Sequence, residues 1–527
     1  MKNNLLVLVT LSCMNFVLGF NQTAPVLTTQ LTEDYNLEMP SLKPYIIYIN
    51  ASVEEPDTID SVTLGIDSDV FTAVEETGFY YFLWTPSGYG NHIIEITATS
   101  TSGTQTTLTK TINVVQESTS QNVETLNGVI IEYSGDADSK WHYGTYTLPQ
   151  FVGAFDSINA TLTVECPQIN GGCDDWERLS HIEIKAPNGN WIQIIRYVTP
   201  YGIGCNHVTD LTNYNSLLQG EVEFRVFIDT WGSGGWQLSL DLEYNQGTPN
   251  YDYSSVTEIW DADYDFGDPS NLQPVETNNI AIPNGIQESY LSVSTTGHNW
   301  GSTNTLNAAQ FFEATHYLDI NNEQAFIQNL WNTCDPNPDN CSDQLGTWRF
   351  NRAGGCPGSI ARPDMYDLSA YIGSSFDLDY RFHPDYVDLC HPNNSDCDEQ
   401  TIEGCYDCDN IFNPYYKVDV QVISKSNEPL IFTVPLGINS FENSETYDLS
   451  IYPNPTNGKF TIQSSIQDAV TKVRVLTIEG KQVKSFHFNT KEELINHNFD
   501  LSDLTSGIYF VSMKNKYGTG TKKLILE

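Results

Sequence analysis

The residues best suited to chemistry lie in Glu165-Cys166-Pro167 and, just beyond, Gly172-Cys173-Asp174-Asp175-Trp176-Glu177-Arg178. Two cysteines seven positions apart can close a small loop and hold an acidic, aromatic and basic cluster rigidly. Carboxylates accept from hydroxyls and an indole stacks on a ring face, so the cluster is fit to face a sugar. A solvated turn stapled by a disulfide would use the same residues, and composition alone does not separate the two. Further polar and aromatic stretches follow: Thr199-Pro200-Tyr201, Phe227-Ile228-Asp229-Thr230-Trp231, Gly247-Thr248-Pro249-Asn250-Tyr251, Thr315-His316 and Arg352-Ala353-Gly354-Gly355-Cys356-Pro357-Gly358.

In this order, over roughly residues 130 to 436, these motifs resemble the peptide-N-glycosidase F family. The resemblance implies two eight-stranded jelly rolls side by side, with the site in the cleft between them. It implies hydrolysis of the amide joining N-acetylglucosamine to asparagine, without cofactor or metal. The fold is shared with copper monooxygenases of the peptide-amidating type, but the histidines include no His-x-His pair, so copper ligation is unsupported. Cleaving such an amide needs a carboxylate to orient or activate water and a proton for the departing nitrogen. The family's three acids carry over to Glu177, Asp229 and Gln310, and all three depart from its pattern. Glu177 and Asp229 keep their charge but differ in length by one methylene. Gln310 can hydrogen-bond yet cannot exchange a proton, and Glu313, three positions on, would face away in a regular strand.

By the same resemblance Trp176, Arg178, Trp231 and Arg352 are expected near the sugar, with His298 and Trp300 as further candidates. The family's cysteines around its third acid are Ala308 and Phe312 here, and a stacking Trp is replaced by Gly355. Cys166–Cys173 and Cys334–Cys356 are the disulfides that the resemblance implies. Pairing of Cys205, Cys341, Cys390, Cys397, Cys405 and Cys408 stays open.

The elements that must hold these residues are strands. From residue 24 to 116, short alternating runs such as Tyr45-Ile46-Ile47-Tyr48-Ile49 and Ile93-Ile94-Glu95-Ile96 are broken by turn clusters, which suggests an immunoglobulin-like sandwich for spacing or adhesion. Gln116 to Gln121 reads as a linker. The period of two continues through expected jelly rolls at 125–247 and 248–436, with weak helical spacing only at Asn322 to Asn332. A polar linker at 437–448 leads to a last module, 449–527, opened by Tyr452-Pro453-Asn454-Pro455-Thr456-Asn457-Gly458-Lys459-Phe460 and closed by Lys522-Lys523-Leu524-Ile525-Leu526. This module resembles the C-terminal sorting domain of type IX secretion cargo, which implies recognition by outer-membrane machinery. The fold class expected is therefore all-β: an immunoglobulin-like sandwich, two packed jelly rolls and a small C-terminal sandwich.

Residues 1–19 pair a basic start with a short apolar run, as in a secretory signal. A chain of 527 residues exceeds one hydrophobic core. Its net charge of −43 sets aside nucleic acid and anionic lipid as partners. No later stretch is apolar enough to span a bilayer. The expected partners are an N-glycosylated peptide or protein and the type IX machinery, for a monomer exported through the periplasm to the cell surface or medium. Export favours disulfides over zinc for Cys405-Tyr406-Asp407-Cys408 with His391, despite metal-like spacing. Two rivals to the amidase are a glycan-binding descendant that has lost turnover and a structural adhesion protein.

Overall fold

Alternation of apolar and polar residues becomes strand almost wherever it occurs. In Gly90–Ser100, Ile94, Ile96 and Ala98 are fully buried while Ile93 is exposed, the signature of a sheet with one wet face. The computed structural model describes residues 24–168, 171–300, 305–397, 405, 408, 413–431, 449–464, 471–477, 482–488, 490–502, 504–515 and 518–526. The fold is all-β, and the chain divides into two compact units, Met1–Ile438 and Asn439–Glu527. The expected signal and the 437–448 linker lie outside the described residues. Among those residues no helix is long and apolar enough to cross a membrane.

The first sandwich packs Val26–Thr29, Tyr45–Ser52, Phe79–Trp84 and Val74–Glu76 against a sheet containing Gln105–Val115, Gly90–Ser100, Ile59–Ile66 and Asp69–Thr72. That second sheet does not end with its own strands. Leu37–Glu38 pairs on one side with Gln105–Val115 and on the other, in parallel, with Gln150–Phe151 of the following sandwich. Gln150 is fully buried there, accepting from the Thr32 backbone N–H at 3.0 Å and donating to the Thr32 carbonyl at 2.9 Å. The expected slack linker is likewise tied down. The backbone N–H of Thr119 and the amide of Gln121 both donate to the buried Glu38 carboxylate. Polar composition signalled a loop, but its hydrogen-bonding groups found fixed partners.

The middle of the chain forms two sandwiches. One joins the sheet Gln121–Glu132, Gly235–Gln246, Phe155–Glu165 and Cys205–Asp210 to the sheet Trp141–Leu148, Gly220–Ile228, Leu179–Lys185 and Trp191–Val198. The other joins Tyr253–Asp265, Tyr415–Ser426, Glu288–His298 and Asp364–Asp367 to Asn278–Ala281, Ser375–Arg381, Thr315–Ile320 and Glu323–Asn329. Ser359–Ile360, from the later sequence, extends the earlier sheet beside Trp191–Val198. The seam carries buried polar contacts. Buried Arg196 donates to the Lys417 carbonyl at 2.9 Å and to Thr296 Oγ1 at 3.3 Å, and Gln421 donates to the Gln193 carbonyl at 2.7 Å. A disulfide, Cys205–Cys341, crosses the same seam.

The weak helical spacing at Asn322 to Asn332 is overturned: Glu323–Asn329 is a strand paired with Thr315–Ile320. Asn321 and Asn322 adopt φ of 52° and 64°, the left-handed pair that a two-residue hairpin requires. Local turn chemistry and a waiting partner strand outweigh a loose apolar period.

In the C-terminal unit, Leu449–Tyr452, Lys459–Ser464 and Phe499–Asp500 form one sheet, and Gln482–Phe488, Thr471–Thr477, Gly507–Asn515 and Gly518–Leu526 form another. Phe460, Ile462, Val473, Val511 and Leu524 make its core. The two ends of the motif meet in space. Asn454 donates to the Lys523 carbonyl at 2.7 Å and accepts from the Ile525 backbone N–H at 2.9 Å.

Candidate active site

A cavity of about 620 Å³ opens between the two central sandwiches. The earlier one contributes Glu177, Arg178, Leu179, Val198, Asp229 and Trp231, and the later one His298, Gln310, Arg352, Gly355 and Tyr415. Strand ends do the positioning. Glu177 lies four positions past the loop closed by Cys166–Cys173 and just before Leu179–Lys185, where Arg178 and Thr199 exchange backbone and hydroxyl hydrogen bonds. Asp229 follows Gly220–Ile228, and its N–H donates to the Leu179 carbonyl at 3.0 Å.

Gln310 is not in a strand. It occupies a turn ahead of Thr315–Ile320, where its N–H donates to the Asn299 carbonyl at 3.0 Å and its carbonyl accepts from Ala353 at 2.9 Å. Glu313 is outside any strand as well, and it is exposed and outside the cavity. A positive φ at Asn299, 61°, turns the chain away after His298. Gly354 lies against Thr295, where a Cβ would sit 1.8 Å from the carbonyl oxygen, so only glycine lets the Arg352 segment approach this closely.

At the centre, the Gln310 amide donates to Glu177 Oε1 at 2.7 Å, and Arg352 Nη2 donates to the same oxygen at 3.2 Å. The other Arg352 contacts are internal: the Thr347 and Phe350 carbonyls at 3.0 and 2.8 Å, and the Tyr201 hydroxyl at 3.0 Å. Arg352 is thus a buried strut for Glu177, whereas its family counterpart suggested a sugar contact. Burial, reinforced by the nearby Glu177 charge, pushes the Tyr201 phenol up to about 12, so it stays protonated. Arg178 is also occupied, donating to the buried Asp174 at 2.7 and 3.1 Å. Asp174 is therefore an anchor and unavailable to hydroxyls.

Lys140 is the residue that sequence reading missed. It ends a short 3₁₀ turn, Ala137–Lys140, and is 5% exposed. Its ammonium donates to Asp229 Oδ1 at 2.7 Å and sits 3.0 Å from the centre of the Trp231 ring. One cation thereby fixes both an acid and an aromatic wall. Nothing in the local composition marks it; only the fold brings it there. Lys140→Met keeps the apolar stem but frees both partners, and glycopeptide affinity is expected to fall roughly tenfold, read by calorimetry, with the fold intact.

Trp231 and His298 line the cavity, whereas Trp176 and Trp300 do not. Both are largely exposed, Trp176 near Tyr201 and Trp300 with its ring centre 6.5 Å from Phe311. The cysteines pair as Cys166–Cys173, Cys334–Cys356, Cys205–Cys341, Cys390–Cys405 and Cys397–Cys408. The zinc-like spacing is thus filled by disulfides.

These observations define a double-sandwich protein with a carboxylate-bearing cleft at the seam. The chain is 32% identical over 266 residues to the peptide-N(4)-(N-acetyl-β-D-glucosaminyl)asparagine amidase F of Elizabethkingia miricola, covering 47% of this chain and 73% of that one. It resembles the solved structure of PNGase F, a glycosylasparaginase from Flavobacterium meningosepticum, with 26% identity, TM-score 0.51, and coverage of 61% of this chain and 100% of that one. A second structure of a peptide-N(4)-(N-acetyl-β-D-glucosaminyl)asparagine amidase matches with TM-score 0.52 at the same identity and coverage. The chain belongs to the peptide-N-glycosidase F family. Residues 450–527 match the secretion system C-terminal sorting domain, and the chain carries a type IX sorting tail.

Proposed function

We propose that the protein is an exported amidase that hydrolyses the N-acetylglucosamine–asparagine bond of N-glycopeptides or N-glycoproteins. The observation that carries this reading is Glu177, held by Gln310 and Arg352 at the floor of a cleft large enough for a disaccharide. Glu177 activates water, Asp229 and Trp231 hold the chitobiose core, and Gln310 orients the water or a hydroxyl. We assign residues 24–116 to an immunoglobulin-like domain, 125–247 and 248–436 to the jelly rolls, and 449–527 to the sorting domain. Incubating the full chain with a denatured N-glycoprotein should convert glycosylated Asn to Asp, seen by mass spectrometry. Unchanged Asn throughout would refute the amidase.

One observation favours a second reading. Gln310 cannot exchange a proton, so the cleft also suits a glycan-binding protein without turnover. Saturable binding of glycopeptide with no Asp formed would identify that case.

The sorting tail marks the protein for export to the surface or medium. Deleting residues 445–527 is expected to leave the protein in the periplasm, read by fractionation; secretion at the normal level would remove the sorting role.

A further inference from the structure

Building on the amidase reading, we infer that His298 presents its Nδ1–H to the cleft as a neutral hydrogen-bond donor to a carbonyl oxygen of the substrate. His298 ends the strand Glu288–His298 and lines the cavity, its ring stacked on Tyr415 with centres 5.2 Å apart. The other ring nitrogen, Nε2, lies 2.8 Å from Thr296 Oγ1. That hydroxyl also receives a hydrogen bond from Arg196 Nη1 at 3.3 Å, and a guanidinium can only donate. Thr296 accepts from Arg196 with one lone pair and, in the proposed arrangement, directs its own proton to Nε2. The imidazole proton is left on Nδ1, the nitrogen free to meet a ligand.

The ring is also kept from charging. Burial, aided by Arg196 and Lys417 behind it, holds its pKa down to about 3, far below the usual histidine range. The other ionisable groups around it are the cleft carboxylates Glu177 and Asp229 and the phenol of Tyr415, which burial pushes up and keeps protonated. His298 is consequently a poor acid–base catalyst and a constant donor. A neutral imidazole can polarise a carbonyl without surrendering its proton. The cleft needs such a group, because Arg178 is forked on Asp174 and Arg352 on Glu177 and its loop carbonyls. The substrate offers two carbonyls, the scissile amide and the acetamido group.

The first test is the ¹⁵N spectrum of the full-length protein labelled at histidine, between pH 5 and 8. His298 should show a protonated Nδ1 and an unprotonated Nε2 at every pH, and N,N′-diacetylchitobiose should move the Nδ1–H signal. The second test is turnover of a glycopeptide. His298→Ala should lose about 10²-fold, and His298→Asn, whose side-chain N–H falls near the Nδ1 position, should recover most of it. A loss in kcat assigns the donor to the scissile amide, and a rise in KM at constant kcat assigns it to the acetamido group; either supports the inference. A titrating ring, an unprotonated Nδ1, or an Asn variant no better than Ala overturns it. Absence of turnover in the natural protein would end the amidase reading, while the tautomer and the chitobiose shift would still decide the donor.

Discussion

Glu177→Gln is expected to cut turnover by about 10³-fold while leaving the fold and chitobiose binding in place. The exchange is nearly isosteric, so its effect isolates the carboxylate. Arg352 loses a charged acceptor but keeps the Thr347 and Phe350 carbonyls and the Tyr201 hydroxyl, so its guanidinium is not stranded. A stability loss of about 1–2 kcal/mol follows, the scale of one weakened buried hydrogen bond. Glu177→Ala would be a poorer test, since it leaves a hole and a buried cation without its counter-charge, a defect on the order of 3–5 kcal/mol. Turnover of Glu177→Gln within tenfold of the natural protein, measured on a glycopeptide, would remove Glu177 from the central role.

Gln310→Glu is expected to raise turnover by about 10² or more and to give the rate a new dependence on pH. Gln310 Nε2 sits 2.7 Å from Glu177 Oε1. Two carboxylates at that separation cannot both ionise and will share a proton. Arg352 donates to Glu177, so charge settles on Glu177 and the proton on residue 310, where it can serve the departing nitrogen. The sign follows: the gain is present while the pair retains that proton and disappears as pH rises through its loss. No turnover from either form at any pH, beside retained glycopeptide binding by the natural protein, would favour the binding protein.

What was legible in the sequence depended on the range of the physics involved. A period of two reports one-sided burial directly, so strands such as Gly90–Ser100 and Gly220–Ile228 could be read from the residues alone. The family motifs carried Glu177, Asp229 and Gln310, and the structure brings them around one cavity. Roles within it were less readable. Arg352 and Asp174 look like ligands for a sugar in a linear motif, but Arg352 is consumed by the distant Glu177 and Tyr201 together with its own loop, and Asp174 by Arg178 four positions on. Lys140 lies 89 positions from Asp229, and no spacing rule connects them. Asn321-Asn322 carries a turn signal that outweighs the weak helical period following it.

The parallel pairing of Leu37–Glu38 with Gln150–Phe151 ties the order of folding to the order of the chain. An N-terminal sandwich emerging first would carry an open sheet margin until Gln150–Phe151, 35 residues past Val115, arrived to pair with Leu37–Glu38 more than a hundred positions back. Such long loop closures are slow, and an unpaired edge in the interval is a template for aggregation. The first domain is thus less a passenger than a half-built wall, completed only when the second sandwich supplies its last course. Cutting the chain at residue 116 would yield two fragments that each lack an edge, and neither would inherit the stability of the whole.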